Sequence, residues 1–103
     1  MSLEELVALL QTVGLPVAYR AFPEGKAPPL PYICYLCSYT NNFDADNRVY
    51  QKIDHINIEL YTRQKCPDLE AKLETALQTL CWEKSEEYID DERCYEILYE
   101  IEV

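Results

Sequence analysis

Five cysteines and one histidine are the residues of this 103-residue sequence that could carry metal, redox or nucleophilic chemistry. Cys34 and Cys37 have the Cys-x-x-Cys spacing of half a zinc site or of a redox pair. Their run predicts a β-strand, on which residues three apart face opposite sides. The full set is odd in number and unevenly spaced, which favours reduced structural thiols: Cys34, Cys37, Cys66, Cys81 and Cys94. We therefore expect no metal and no cofactor.

A Ser-His-Asp or Cys-His mechanism would have to use His55, the only imidazole in the chain. His55 follows Asp54 in the middle of a predicted strand, where adjacent side chains face apart and cannot pair. Gly14 and Gly25 are the only glycines, so the sequence has no glycine-rich loop for a phosphate group. We predict a protein that is not an enzyme, in which His55 lies at the solvent or at an interface.

The excess of acidic over basic side chains limits the classes of partner that this chain can bind. Nine basic against nineteen acidic side chains give a formal net charge of -10, and such a field repels nucleic-acid backbones and anionic lipids. No apolar run approaches the ~20 residues that span a bilayer, and Glu4 and Glu5 stand where a signal peptide would be basic. We expect a single domain over residues 1–103 that stays in the cytoplasm, without specific nucleic-acid binding and without membrane association.

Two long strand-forming runs dominate the first half of the chain, after a helix that begins at a Ser2–Glu5 capping box and a short strand at residues 17–22. The runs are residues 31–39 and 48–61, and a polar, acidic connection over residues 40–47 joins them. A two-residue turn would suffice to join two strands. A connection of this length with an aromatic residue at its centre therefore predicts a contact surface.

The apolar positions of residues 48–61 change from odd to even numbers, which predicts a bulge near Asp54 and His55. Pro67 predicts the start of a second helix that ends near residues 81–82, and a further strand follows. Residues 95–103 alternate between apolar and acidic side chains, the pattern of a strand that is buried on one face. The order helix, strand, strand, strand, helix, strand, strand predicts an α+β fold, in which two α-helices pack on one face of an antiparallel or mixed β-sheet.

The candidate contact residues lie in the connection and on the outer face of the last strand: Asn42, Phe43, Asp44, Asp46, Arg48, Glu96, Glu100 and Glu102. Phe43 either folds back onto its own strands or is exposed as an anchor. The three glutamates either solvate the outer face of their strand or form an acidic wall that does not retain passing DNA. Nine tyrosines with a single tryptophan also favour a protein with interfaces.

Short strings along the chain resemble, in their order, the tail terminator and tail completion (head-tail joining) proteins of long-tailed bacteriophages and prophages. The strings are Leu30-Pro31-Tyr32, Ile58-Glu59-Leu60-Tyr61, Pro67-Asp68-Leu69-Glu70 and the closing residues 95–103. The resemblance covers nearly the whole chain. It places the family's hairpin loop at residues 41–48 and implies a structural role with no catalytic residues.

The resemblance also implies partners and a location. Subunits of this family assemble into a ring, commonly a hexamer, that caps the finished tail tube and docks onto the head connector. The implied partners are copies of the chain, tail-tube proteins and head-connector proteins, in the host cytoplasm during assembly and then in the virion tail. The alternative is an acidic DNA mimic that inhibits a nucleic-acid enzyme. Such a mimic needs its carboxylates along one continuous face, whereas in the sequence they are scattered over both helices, the connection and the last strand.

Overall fold

A computed structural model of the chain describes residues 2–45 and 48–102, and the side chains of these residues outside 41–52. The elements are α1 (Leu3–Gln11), β1 (Val17–Tyr19), β2 (Tyr32–Ala45), β3 (Arg48–Thr62), α2 (Pro67–Ala76), β4 (Trp82–Ile89) and β5 (Cys94–Glu102). The strands form one sheet in the order β1-β2-β3-β5-β4. β1 runs parallel to β2, and the other neighbours are antiparallel. The predicted α+β class, element order and mixed sheet are confirmed.

The helix α1 begins as its capping box predicts. The backbone N–H of Glu5 donates to Ser2 Oγ at 3.1 Å, and the N–H of Ser2 donates to Glu5 Oε1 at 3.4 Å, so two otherwise unpaired donors are satisfied. Behind the helix, Gly14 has a φ of 89°, a left-handed conformation that glycine adopts without strain. The helix therefore lies across the sheet with Leu6 and Leu10 fully buried.

One hydrophobic core lies between the two helices and a single face of the sheet. Leu6 and Leu10 of α1 and Leu73 of α2 meet the sheet there with no exposed surface. The sheet contributes the residues of β2, β3 and β5 that point to this side: Ile33, Ile56, Ile58, Leu60, Ile97, Tyr99 and Ile101. Each large aliphatic side chain buried in this way contributes about 2 kcal/mol of hydrophobic free energy. We call this side of the sheet the helix face and the other side the open face.

The connection between β2 and β3 differs from the prediction. The two strands continue through most of residues 40–47, up to the pairing of Ala45 with Arg48, so no long loop joins them and only residues 46 and 47 lie between them. The prediction was wrong because the residues of this part are mostly polar and do not alternate with apolar residues as in a half-buried strand, so the sequence shows no strand pattern there. We call residues 39–54 the arm.

The arm projects beyond the rest of the sheet. The pairing of β3 with β5 ends at His55 and Glu102, and the pairing of β1 with β2 ends at Tyr19 and Tyr35. Within the described residues, no third strand pairs with the arm. At about 3.3 Å per residue, each of its strands reaches about 20 Å beyond its base. The extents of the molecule, 50 × 29 × 22 Å, are correspondingly elongated.

The predicted bulge at Asp54 and His55 is also wrong in position. Residues 51–62 of β3 run without interruption, and the extra residues are Ser38 on β2 and Tyr50 on β3. Ile53 therefore faces the side opposite to Ile56, which explains the change of parity without a bulge between them. The hydroxyl of Ser38 donates to the carbonyl of His55 at 3.1 Å, which holds the irregularity in place.

Three element ends differ by smaller amounts. The second helix ends at Ala76, short of the predicted end near residues 81–82, because the chain leaves the helix in successive turns, in which Leu80 N–H donates to Leu77 O at 2.9 Å. The first strand stops at Tyr19 instead of continuing to residue 22, since Arg20 has a φ of 64°. The last strand covers Cys94–Glu102, and the predicted final residue, 103, lies outside the described residues.

Candidate functional site

The open face of the sheet carries an unusual concentration of carboxylates. By strand pairing, six glutamates point to this side: Glu59 on β3, Glu83 and Glu87 on β4, and Glu96, Glu100 and Glu102 on β5. Within the described strands β3, β4 and β5, the open-face positions from residue 55 onward carry no lysine or arginine. No helix packs on this side in the described part of the chain. On this side Glu83, Glu87, Glu100 and Glu102 are exposed to water, whereas Cys34 and Cys94 are buried, so the acidic surface occupies part of the open face.

Two pairs of these glutamates stand directly opposite each other across β4 and β5. Glu83 pairs in register with Glu100, and Glu87 pairs with Glu96. Like charges at directly opposed positions destabilise an antiparallel pair of strands. The arrangement therefore costs folding free energy, which makes a purely structural role for this set of residues a poor explanation.

The pKa of Glu96 is strongly affected by these neighbouring charges. Burial, a hydrogen bond with Glu59 and the negative charges of Glu59, Glu87 and Glu92 raise the pKa of Glu96 to about 7. Tyr61 lies beside the pair, and its pKa is raised by burial and by the charge of Glu59. Near neutral pH, a substantial fraction of Glu96 is therefore protonated, and its protonated carboxyl can donate a hydrogen bond to Glu59 on the neighbouring strand.

On the helix face, lysines form ion pairs with the glutamates and so offset the repulsion between their charges. Lys84 Nζ lies 2.7 Å from Glu70 Oε1 and 2.8 Å from Glu74 Oε2, and Lys65 Nζ lies 2.8 Å from Glu70 Oε2. Lys65 also pairs with Glu86 on β4. The hydroxyl of the buried Tyr99 donates to Glu74 Oε2 at 2.7 Å. The carboxylates on this side are thus paired with lysines, in contrast to those of the open face.

The pKa values of this network follow from its contacts. Burial opposes ionisation of Glu70, but hydrogen bonds from Lys65 and Lys84 outweigh burial and hold its pKa below the ordinary value. Burial likewise opposes ionisation of Glu74, but hydrogen bonds from Lys84 and Tyr99 hold its pKa below the ordinary value. Hydrogen bonds to the glutamates raise the pKa of Lys65 to about 12. The network is therefore charged and stabilising at neutral pH.

A groove of about 790 Å³ opens where the arm leaves the sheet. Its floor includes Trp82 and Ile101, and its lining includes Glu83, Glu100 and Glu102. The remaining lining residues come from the base of the arm, from β3 and from the segment before β4: Ser38, Tyr39, His55, Ile56, Asn57, Thr79, Leu80 and Cys81. No lysine or arginine lines the groove among the residues that the structure describes. The sequence pattern did not single out this site, because its residues come from four strands and a turn.

Tyr39 and His55 form the wall of the groove on the side of the arm. Their rings are stacked, with centroids 3.9 Å apart and an angle of 13° between the planes. Tyr39 is 56% exposed, whereas the side chain of His55 is only 16% exposed. His55 Nδ1 lies 3.6 Å from Glu102 Oε1, across the strand pair. His55 is therefore covered by Tyr39 rather than turned to the solvent, and one face of Tyr39 stays available.

The predicted contact residues separate into two groups. Glu96, Glu100 and Glu102 lie together on the open face, as the alternation of β5 predicts, with Glu100 and Glu102 exposed and Glu96 half-buried. The other group belongs to the arm. Asn42, Phe43 and Asp44 are residues of β2, and Arg48 is the first residue of β3. Asp46 lies outside the described residues. The two alternatives for the side chain of Phe43 also lie outside the described part.

The five cysteines differ in burial: Cys34 and Cys94 are buried, Cys37 and Cys66 are partly buried, and Cys81 is exposed. Cys34 pairs in register with Glu59 and faces the open side, whereas Cys37 pairs with Ile56 and faces the helices, so the predicted opposite orientation is confirmed. Burial and the charge of Glu59 raise the pKa of the Cys34 thiol to about 11, which makes it a poor nucleophile and metal ligand. All five cysteines are described and are free thiols. No group of three or more histidine, cysteine or acidic side chains in the described residues is arranged to hold a metal ion.

Neither described helix has the length and apolar character needed to cross a bilayer. The sequence matches no protein-family model and no curated protein.

Proposed function

We propose that this chain is a structural protein of a phage or prophage tail, a tail terminator or tail completion protein that forms a ring at the end of the tail tube and joins the tube to the head connector. The observation that carries the proposal is the arm, a two-stranded ribbon that extends beyond the sheet and pairs with no third strand in the described residues. The resemblance of the sequence strings to this family supplies the specific role.

The free strand edges support assembly. Within the part of the chain that the structure describes, no further strand pairs with either outer edge of the arm, and β4 is an edge strand of eight residues with mostly exposed side chains. Unpaired edges of this kind pair readily with other chains unless something covers them. A head-to-tail contact between an arm and an edge of the next copy would close into a ring if the rotation between copies permits it.

The acidic open face also suits a ring through which DNA passes. Six glutamates on this side would repel a phosphate backbone instead of retaining it. The net charge of -10 has a second consequence, because like-charged subunits repel at long range and assemble more readily when salt screens them. We place the protein in the host cytoplasm during assembly and in the virion tail afterwards.

The decisive experiment shortens the arm and leaves the core intact. Thr40 and Asp54 pair in register at the base of the arm, so an Asn-Gly turn can join them directly and replace residues 41–53. We expect the intact chain to form a ring in sedimentation velocity as protein and salt concentrations rise, and to appear at the ends of tail tubes in electron micrographs. The shortened variant should remain monomeric and leave the tubes bare.

Circular dichroism and thermal unfolding provide the control for the shortened variant, since its core residues are untouched and its melting temperature should stay close to that of the intact chain. A shortened chain that still forms rings on tail tubes would show that the arm is not the contact. An intact chain that stays monomeric under all conditions and does not bind to tail tubes would contradict the proposed function as a whole.

The acidic DNA mimic remains the second candidate, and the open face favours it more than the sequence did. The sequence scatters its carboxylates over many elements, whereas the sheet brings six of them to one side. A mimic would compete with DNA for a nucleic-acid enzyme, so inhibition of a nuclease or a polymerase that added DNA reverses would favour this function over ring assembly.

A further inference from the structure

We propose that the groove at the base of the arm docks an arginine-bearing segment of a partner protein. The groove has the size of a ligand pocket, about 790 Å³. This inference does not depend on ring formation, because it concerns a surface that each single chain presents.

The charges around the groove are the first argument. Glu83 and Glu100 face each other directly across β4 and β5, and Glu102 lies next along β5. No lysine or arginine in the described lining compensates them, although lysines pair with the glutamates of the helix face. A cation from outside the chain would relieve the repulsion between Glu83 and Glu100 and gain hydrogen bonds with both. A phosphate backbone or a second copy of this acidic chain would increase the repulsion.

The aromatic wall is the second argument, and it distinguishes arginine from lysine. Tyr39 is 56% exposed and is held parallel to His55 by stacking at 3.9 Å, so its free face is a fixed flat surface beside the carboxylates. A planar guanidinium can stack on such a ring and at the same time donate two hydrogen bonds to a carboxylate, which a lysine ammonium cannot do.

The apolar floor is the third argument, and it indicates a polypeptide rather than a small cation. Trp82 and Ile101 line the groove from the helix face of the sheet, on the side opposite to Glu83 and Glu100, and the indole packs edge-on against Tyr99 with ring centroids 5.4 Å apart. The methylene groups of an arginine side chain and its neighbouring residues can cover this floor, whereas a hydrated inorganic cation cannot. The apolar area that such a segment covers would add to the electrostatic attraction.

Trp82 makes the test specific to the site, because it is the only tryptophan of the chain and lies in the groove. Three short, terminally blocked Gly-Ser peptides serve as probes. They carry at their centre Arg-Gly-Arg, the same sequence with lysine, or the same sequence with citrulline, which keeps the shape of arginine without its charge. We expect the arginine peptide to change the emission of Trp82 and to bind about tenfold more tightly than the citrulline peptide, with the lysine peptide between them.

Matched variants locate the binding. Glu100→Gln should weaken the arginine peptide at least about threefold, and Tyr39→Leu should reduce the preference for arginine over lysine. Glu24→Gln removes the same charge from an exposed loop outside the groove and should change the affinity less than about twofold. Circular dichroism of each variant establishes that it is folded.

Four results would overturn the proposal: equal affinities for the arginine and citrulline peptides, equal effects of Glu100→Gln and Glu24→Gln, calorimetric binding without a change in Trp82 emission, or no binding at all. If sedimentation instead shows that self-association of the chain abolishes the peptide signal, the groove is a contact between copies, and the partner inferred here is wrong.

Discussion

The raised pKa of Glu96 makes the stability of the protein depend on pH in a way that a single substitution can test. The pKa of Glu96 rises from 4.5 to about 7 on folding because of burial, the hydrogen bond with Glu59 and neighbouring negative charges. The folded chain therefore holds a proton on Glu96 at pH values where the unfolded chain has lost it. It follows that the free energy of unfolding falls as pH rises from about 4.5 to about 7 and stays lower above that pH.

The magnitude follows from the same pKa values. At about 1.4 kcal/mol per tenfold change in proton affinity, the cost of ionising Glu96 is about 3 kcal/mol at most. Glu96 is only half-buried, however, and water screens the repulsion, so we expect about 1 kcal/mol in the real protein. Glu96→Gln keeps the shape and a donor toward Glu59 and removes the charge. At pH 8 it should raise the free energy of unfolding by about 1 kcal/mol and the melting temperature by about 5 °C.

Urea and thermal unfolding at a series of pH values from 5 to 8 would measure this effect. At pH 5 the folded wild type is protonated at Glu96, so the difference between wild type and Glu96→Gln should shrink to a small fraction of its value at pH 8. Glu24→Gln controls for the loss of one negative charge from a chain with a net charge of -10. A variant that is equally stable or less stable than wild type at pH 8, or a gain that does not change with pH, would refute the reasoning about the Glu59–Glu96 pair.

Three further predictions concern the helix face and the thiols. Glu70→Gln should lower the free energy of unfolding by about 2 kcal/mol at pH 7, because Lys84 loses a buried counter-charge. This difference between variant and wild type should shrink as pH falls through the lowered pKa of Glu70, because the wild type then loses the same interaction. Cys81, which is exposed, should react with a thiol reagent well before the buried Cys34, whose pKa is raised to about 11, as mass spectrometry of the labelled chain would show. Leu73→Ala should cost about 3 kcal/mol in urea unfolding, since it removes a fully buried side chain of the core.

Each of these has a contrary outcome. A Glu70→Gln variant whose deficit grows at low pH would mean that the lysines do not hold Glu70 ionised. Labelling of Cys34 at the rate of Cys81 in the folded chain would contradict the burial of β2. A Leu73→Ala variant as stable as wild type would mean that α2 does not pack on the sheet.

Local patterns sufficed for most of the fold. The capping box at Ser2, the proline that opens α2 and the almost perfect alternation of β5 each predict an element from neighbouring residues alone, and the structure contains each element. The arm escaped this reasoning. Its residues 40–47 are mostly polar and do not alternate with apolar ones, so in the sequence they resemble a loop.

The candidate site was predictable only in part. The common side of Glu96, Glu100 and Glu102 follows from the two-residue period of a strand. The opposition of Glu100 to Glu83 and of Glu96 to Glu87 does not, because the register between β4 and β5 depends on how the whole sheet assembles. The groove likewise joins Tyr39 and Trp82, which are distant in the sequence and have no shared pattern.

The sequence by itself determined the types of most elements outside the arm, the near-regular alternation of β5, the net negative charge and the absence of a glycine-rich phosphate loop, since these depend on composition and on neighbours within a few residues. Only the tertiary structure decided which carboxylates meet lysines and which face one another, how far the arm extends beyond the sheet, and where the groove opens. Those features depend on strand register and on which edges remain unpaired, and both are set by packing between residues far apart in the chain.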